Sequence, residues 1–151
     1  MNIRRAYYDI CYGFRNILRW LPTIWRDRDY DWAYVLNLLE VKLKHVAEAT
    51  EREKHFEGWD TDLGRQRQCI RLIQRIQDET AWDETNDKHT AKWGQGTLTS
   101  QGVQYPELSP DQQKQEWEER CIMLDEADRA VDREWAELFR LLRDHMREWW
   151  M

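Results

Sequence analysis

Apolar side chains recur along residues 3–21 at Ile3, Tyr7, Ile10, Phe14, Ile17 and Leu21, in alternating steps of four and three. That is the period of one helix face, so the spacing predicts a helix. Pro22 is expected to end it, because the residue before a proline is pushed out of the α region. A second stripe, Trp32, Leu36, Leu39, Leu43 and Val46, predicts a helix that Asp29 or Asp31 caps and that fades near Phe56 before Gly58. Trp59 to Asp62 reads as a turn, with Thr61 or Asp62 capping a third helix that carries Cys69, Ile70, Ile73 and Ile76 on one side.

Periodicity is then lost over 80–109, where Thr, Asn, Gly, Gln and Ser dominate, and the stretch reads as a flexible polar insertion, with small local structure as the alternative. Ser109-Pro110-Asp111-Gln112 is a helix start with serine at N-cap, proline at N1 and glutamine completing a capping box. From there to Met151 neither glycine nor proline occurs. The stripe Leu124, Ala127, Val131, Trp135, Leu138, Leu142, Met146 and Trp149 predicts a long C-terminal helix over 110–151. A break near residue 125, giving two ordinary helices, is the alternative. An uninterrupted helix exceeds what the first three need for packing, so the half around Trp117 and Cys121 is expected to project and meet a second copy. The expected fold is all-α, one helical domain over 1–151, a bundle of about four helices with a long C-terminal helix, assembled as a homo-oligomer.

Composition sharpens this picture. Ten tryptophans and an aromatic content of 13% exclude a disordered chain, and three prolines with six glycines disfavour a β-sandwich. No apolar run is long enough to span a bilayer, so no membrane partner is expected. Cys11, Cys69 and Cys121 are odd in number and far apart, which points to buried thiols in a reducing cytoplasm. The net charge of −6 is unevenly placed: +3 over residues 1–30, −3 over 31–61, +3 over 62–77 and −9 over 78–151. Such a chain is a poor binder of duplex nucleic acid, while its two basic segments could meet one small anion.

Chemistry-bearing motifs are sparse. None of His45, His55, His89 and His145 lies in a metal-ligand motif; Glu51 and His55 share a helix face, an arrangement that solvated faces often produce. No metal or cofactor is therefore expected. Glu48-x-x-Glu51 and Glu84-x-x-Asp87 resemble the ExxE…ExxD pattern of the all-helical MazG-like nucleotide pyrophosphohydrolases, in which four carboxylates hold Mg²⁺. Here the two halves are far apart, and the second falls in the aperiodic stretch. No phosphate loop, dinucleotide fingerprint or nucleophile elbow occurs, and no catalytic residue is assigned.

The most distinctive patch is aromatic and basic together: Arg15, Arg19, Trp20, Trp25, Arg26, Arg28, Tyr30 and Trp32. Tryptophan stacks on bases and arginine forks onto phosphates, so Arg19, Trp25, Arg26, Arg28 and Trp32 are candidate contacts for a nucleotide-sized anion. Arg67, Arg71 and Arg75, four residues apart, add a basic stripe that could share the same wall. The competing structural reading has Trp20 and Trp32 in the core, with Arg26 and Arg28 paired to Asp27, Asp29 and Asp31. A third reading makes the patch a protein–protein hot spot.

The connector Leu21 to Trp32, with its W-x-x-R-D-x-D run, leads into Leu36, Leu39, Glu40, Lys42 and Leu43, an LLExKL helix core. It resembles a group of small uncharacterised helical proteins of tailed bacteriophages, as do Cys69 to Ile73 and the closing Arg147-Glu148-Trp149-Trp150. The likeness covers roughly residues 15–80 and 138–151 and implies a phage origin rather than a reaction. By analogy with small phage oligomers that act against host defences, it suggests an anti-defence protein of the host bacterial cytoplasm. That protein would sequester a small nucleotide-like signal without catalysis. The alternatives are an interaction protein that inhibits a host defence protein through its Trp/Arg surface, and the Mg-dependent pyrophosphohydrolase.

Overall fold

The computed structural model describes residues 3–25, 33–54, 57–99, 102–105 and 108–150, with backbone alone at 3–6, 99, 102 and 150. Among these residues the chain is helical apart from one short hairpin and its connections, the all-α class that the stripes predict. Its elements are α1 (Ile3–Trp25), α2 (Ala33–Glu53), α3 (Trp59–Gln77), α4 (Thr80–Trp93), β1 (Thr97–Thr99), β2 (Gly102–Gln104) and α5 (Pro110–His145), followed by a 3₁₀ turn over Glu148–Trp150. The chain divides into two compact units, Met1–Lys42 and Leu43–Met151.

The first unit holds α1 and the start of α2. Pro22 does not end α1, which continues to Trp25. In the last turn a proline removes only the bond that its own N–H would make to the carbonyl of Leu18, and three residues are too few for further loss. Residues of the stripe that predicts this helix are exposed, Ile10, Phe14, Ile17 and Leu21 by 46–71%, and so are Ile24 and Trp25 beyond it.

The second unit contains a dense core. Leu43, Cys69, Ile73 and Leu138 have no solvent exposure at all, and Leu63, Ile76, Ala127, Leu141 and Leu142 surround them. All but Leu63 and Leu141 belong to the predicted stripes of α2, α3 and α5, and α5 packs on both α3 and α4. One polar pair lies within the core, the Gln66 amide donating to the Thr50 hydroxyl at 3.3 Å and tying α3 to α2. Of the three cysteines expected to be buried only Cys69 is; Cys11 and Cys121 are exposed. Glycine rather than Thr61 or Asp62 precedes α3. Gly58 takes the left-handed conformation (φ 86°), and the first turn begins at Trp59. Asp60 and Asp62 then lie inside that turn, where carboxylates favour the positive end of the helix dipole.

The stretch 80–109, expected to lack regular structure, contains α4 and the hairpin, in which Thr97 pairs with Gln104, Leu98 with Val103 and Thr99 with Gly102. Its helix escapes an apolar-period reading because just two residues of α4, Ala81 and His89, are buried, eight apart and one of them polar. Polar links hold α4 instead. Arg75 of α3 reaches Glu84 at 3.0 Å, and Lys92 and the Trp93 indole reach Glu119 of α5 at 2.5 and 3.0 Å.

The predicted capping box opens α5. Ser109 Oγ accepts from the Gln112 amide at 3.4 Å, and the Gln112 side chain accepts from the Ser109 amide at 2.9 Å. The helix runs 36 residues, about 54 Å, with no break near residue 125.

Candidate functional site

Where α4, the hairpin and α5 meet, the second unit encloses a cleft of about 600 Å³, within the range of small-molecule sites. Three elements deliver its side chains. Trp82, Asp87 and His89 come from α4, Gly96 and Tyr105 flank the hairpin, and Arg120 comes from α5. The hairpin seats closely because residue 96 has no side chain. A Cβ there would collide with Val103 Cγ1 and approach the Tyr105 ring to 2.8 Å.

Four side chains form one polar cluster at the cleft. Glu116 and Arg120, one helical turn apart on α5, are joined through Arg120 Nε at 2.7 Å and through a second, closer contact from the other guanidinium nitrogen. Arg120 also donates to the Tyr105 hydroxyl at 2.9 Å and lies over the Tyr105 ring at 5.3 Å. That hydroxyl stands 3.5 Å from His89 Nδ1. The second ring nitrogen of the histidine, Nε2, is 3.0 Å from Glu116 Oε1. That pair is ionic when the ring is protonated, and no hydrogen bond is formed at Nε2. His89 and Glu116 are 5% and 4% exposed.

Burial, the larger influence, and the Glu116 carboxylate push the Tyr105 phenol up from its ordinary value, although the Arg120 guanidinium opposes them. The phenol therefore stays protonated. It accepts from Arg120 and keeps its own proton to donate. Asp83 and Asp87 line the same cleft as exposed carboxylates, while Arg120, the cation among its walls, is already engaged by Glu116. The cleft thus offers hydrogen-bonding groups, an indole in its lining and a negative balance of charge.

The residues singled out from sequence lie elsewhere. Arg19 is exposed on α1, and Trp25, at the end of that helix, is 83% exposed. Arg26, Arg28 and Trp32 lie outside the described residues. On α3, Arg67 pairs with Glu51 at 2.9 Å, and Arg75 is shared between Glu84 at 3.0 Å and Glu134 at 2.6 Å. Arg71 is exposed. The basic stripe is therefore largely occupied by carboxylates of neighbouring helices. The same pairs engage Glu51 and Glu84, one carboxylate from each half of the ExxE…ExxD spacing. Among the described residues no group of three or more His, Cys, Asp and Glu could hold a metal ion.

Sequence reasoning assigns none of the four cluster residues to a site. One signal was readable: Glu116 and Arg120 are spaced i,i+4 with the acid first, the favourable order on a helix. A scan against protein-family models and searches of curated proteins and of solved structures each return no match.

Proposed function

We propose that this chain is a non-catalytic binding protein, and that its α4–hairpin–α5 cleft takes the planar, polar part of a small nucleotide-like ligand. The observation that carries the reading is His89 Nε2, buried at the cleft and left without a hydrogen bond. An unsatisfied buried polar group is costly, and a ligand that supplies its partner recovers that cost. Trp82 provides a stacking face, and the Tyr105 hydroxyl provides a second fixed polar group. Asp83 and Asp87 with an already engaged Arg120 favour an uncharged or cationic moiety over a phosphate, so the base of the ligand enters and its phosphate stays in solvent. The setting is that of the phage resemblance, an accessory protein acting on a host signal.

Isothermal titration with the four common ribonucleosides tests the reading. At least one should give a saturable heat at concentrations on the order of 1 mM or below. Trp82→Ala and His89→Leu should each weaken it about tenfold while leaving the far-UV circular dichroism unchanged. Four nucleosides without heat, or binding indifferent to both substitutions, would remove the cleft as the site.

A further inference from the structure

The exposed face of α1 calls for a partner that the described residues do not supply. At 100° per residue, Ile24, Ile17, Ile10, Leu21, Phe14, Tyr7, Trp25, Leu18 and Cys11 fall within an arc of about 140°. Ile10, Phe14, Ile17 and Trp25, spread over that arc, are 71%, 62%, 61% and 83% exposed. Arg15, Arg19, Asn16 and Asp9 fall on the remaining arc. Tyr8, Tyr12 and Trp20 also lie outside that arc, but the arc itself carries no charged side chain, and a contiguous apolar face of this size is unfavourable in water.

We infer that α1 is an interfacial helix that lies on an anionic lipid surface, with its apolar arc in the acyl boundary and its arginines among the headgroups. Charge selects this occupant. The helix carries four arginines and one aspartate, a net +3, in a chain whose net charge is −6. Anionic headgroups complement that charge where the arginine positions border the apolar arc. Breadth agrees: a two-helix seam needs only a narrow a/d stripe, while a helix lying in the headgroup plane buries a wide arc. Aromatic residues on the arc, Tyr7, Phe14 and Trp25, are types that settle at the boundary between headgroups and chains. Among the described residues no helix is long and apolar enough to cross a membrane, so the association is peripheral. It departs from the expectation of no membrane partner and is independent of the cleft.

Cys11, at the edge of the arc, supplies the readout, and exposed Cys121 on α5 supplies an internal control. The full chain is incubated with vesicles of phosphatidylcholine alone or mixed with phosphatidylglycerol. Sedimentation and the alkylation rate of each thiol are then followed. Co-sedimentation with the anionic vesicles is expected, weaker on neutral ones and weakened by salt. Cys11 alkylation should slow about tenfold on the anionic vesicles while Cys121 is unaffected. Phe14→Glu should abolish both effects. The inference is overturned if the chain stays in the supernatant with Cys11 fully reactive. It is equally overturned if Cys11 is protected without lipid in a dimer that Phe14→Glu dissociates, which would assign the face to a second copy.

Discussion

His89 Nε2 and Glu116 Oε1 stand 3.0 Å apart, both side chains almost wholly buried, and yet they do not hydrogen-bond. Glu116 is oriented instead by Arg120, whose guanidinium takes the same carboxylate oxygen. The carboxylate therefore serves Arg120 first, with the imidazole beside it.

Removing the carboxylate should therefore be felt first by Arg120, whose side chain is 17% exposed. Glu116→Ala leaves that cation half in the protein without its counter-charge and should cost about 3 kcal/mol in urea unfolding. Glu116→Gln keeps an acceptor for Arg120 Nε and should cost clearly less. Equal losses in the two variants would show that the charge is immaterial.

Acid should loosen α4 before the hydrophobic core. The Arg75 guanidinium holds the Glu84 carboxyl below the usual 4.5, and the Lys92 ammonium does the same for Glu119. A carboxyl depressed in the folded state contributes stability that is present above its unfolded value and lost as pH falls through the folded one. The urea midpoint should accordingly be level above about pH 5 and decline below it. Lys92→Met should flatten the decline. A pH profile unchanged by that substitution would separate Glu119 from acid stability.

Thiol chemistry should distinguish the cysteines. Burial first, and then the charge of Glu137, push the Cys69 thiol from 9.0 up to about 11. Native protein should consume alkylating reagent at Cys11 and Cys121 and spare Cys69 until it unfolds. The raised thiol contributes stability that is complete below 9.0 and lost as pH rises through 11. Mass spectrometry of the labelled peptides gives the answer, and rapid labelling of Cys69 in native protein would contradict the core placement.

The stripes at Leu36, Leu43 and Val46 and at Ile73, Ile76 and Leu138 were legible because hydrophobic burial fixes them, and burial writes a period into the sequence. Ser109 and Gln112 were legible because a capping box is local. Hidden from view was α4, whose attachments are the long polar side chains of Lys92, Trp93 and Glu84, which impose no period. The hairpin was hidden too, since its strands are three residues each. The cleft inherits both gaps: His89 and Tyr105 lie in the stretch that read as structureless, and only the fold brings them to Glu116 and Arg120. In the basic stripe the residue types were visible, but not the carboxylates of Glu51, Glu84 and Glu134 that occupy Arg67 and Arg75.

Closure of the hairpin over the cleft should depend on Gly96. Gly96→Ala places a methyl group against Val103 and the Tyr105 ring. Overpacking of this kind costs about 1–3 kcal/mol. Nucleoside affinity should fall with it, because Tyr105 must shift. Unchanged affinity would mean that the hairpin does not shape the site.

The most direct test observes the imidazole itself. A long-range ¹H–¹⁵N spectrum resolves the ring nitrogens of His45, His55, His89 and His145, and His89→Gln assigns the relevant pair. Addition of a nucleoside that binds should move both His89 nitrogens, Nε2 most, and leave the other three rings in place. A saturating ligand that leaves His89 Nε2 unmoved would contradict the account.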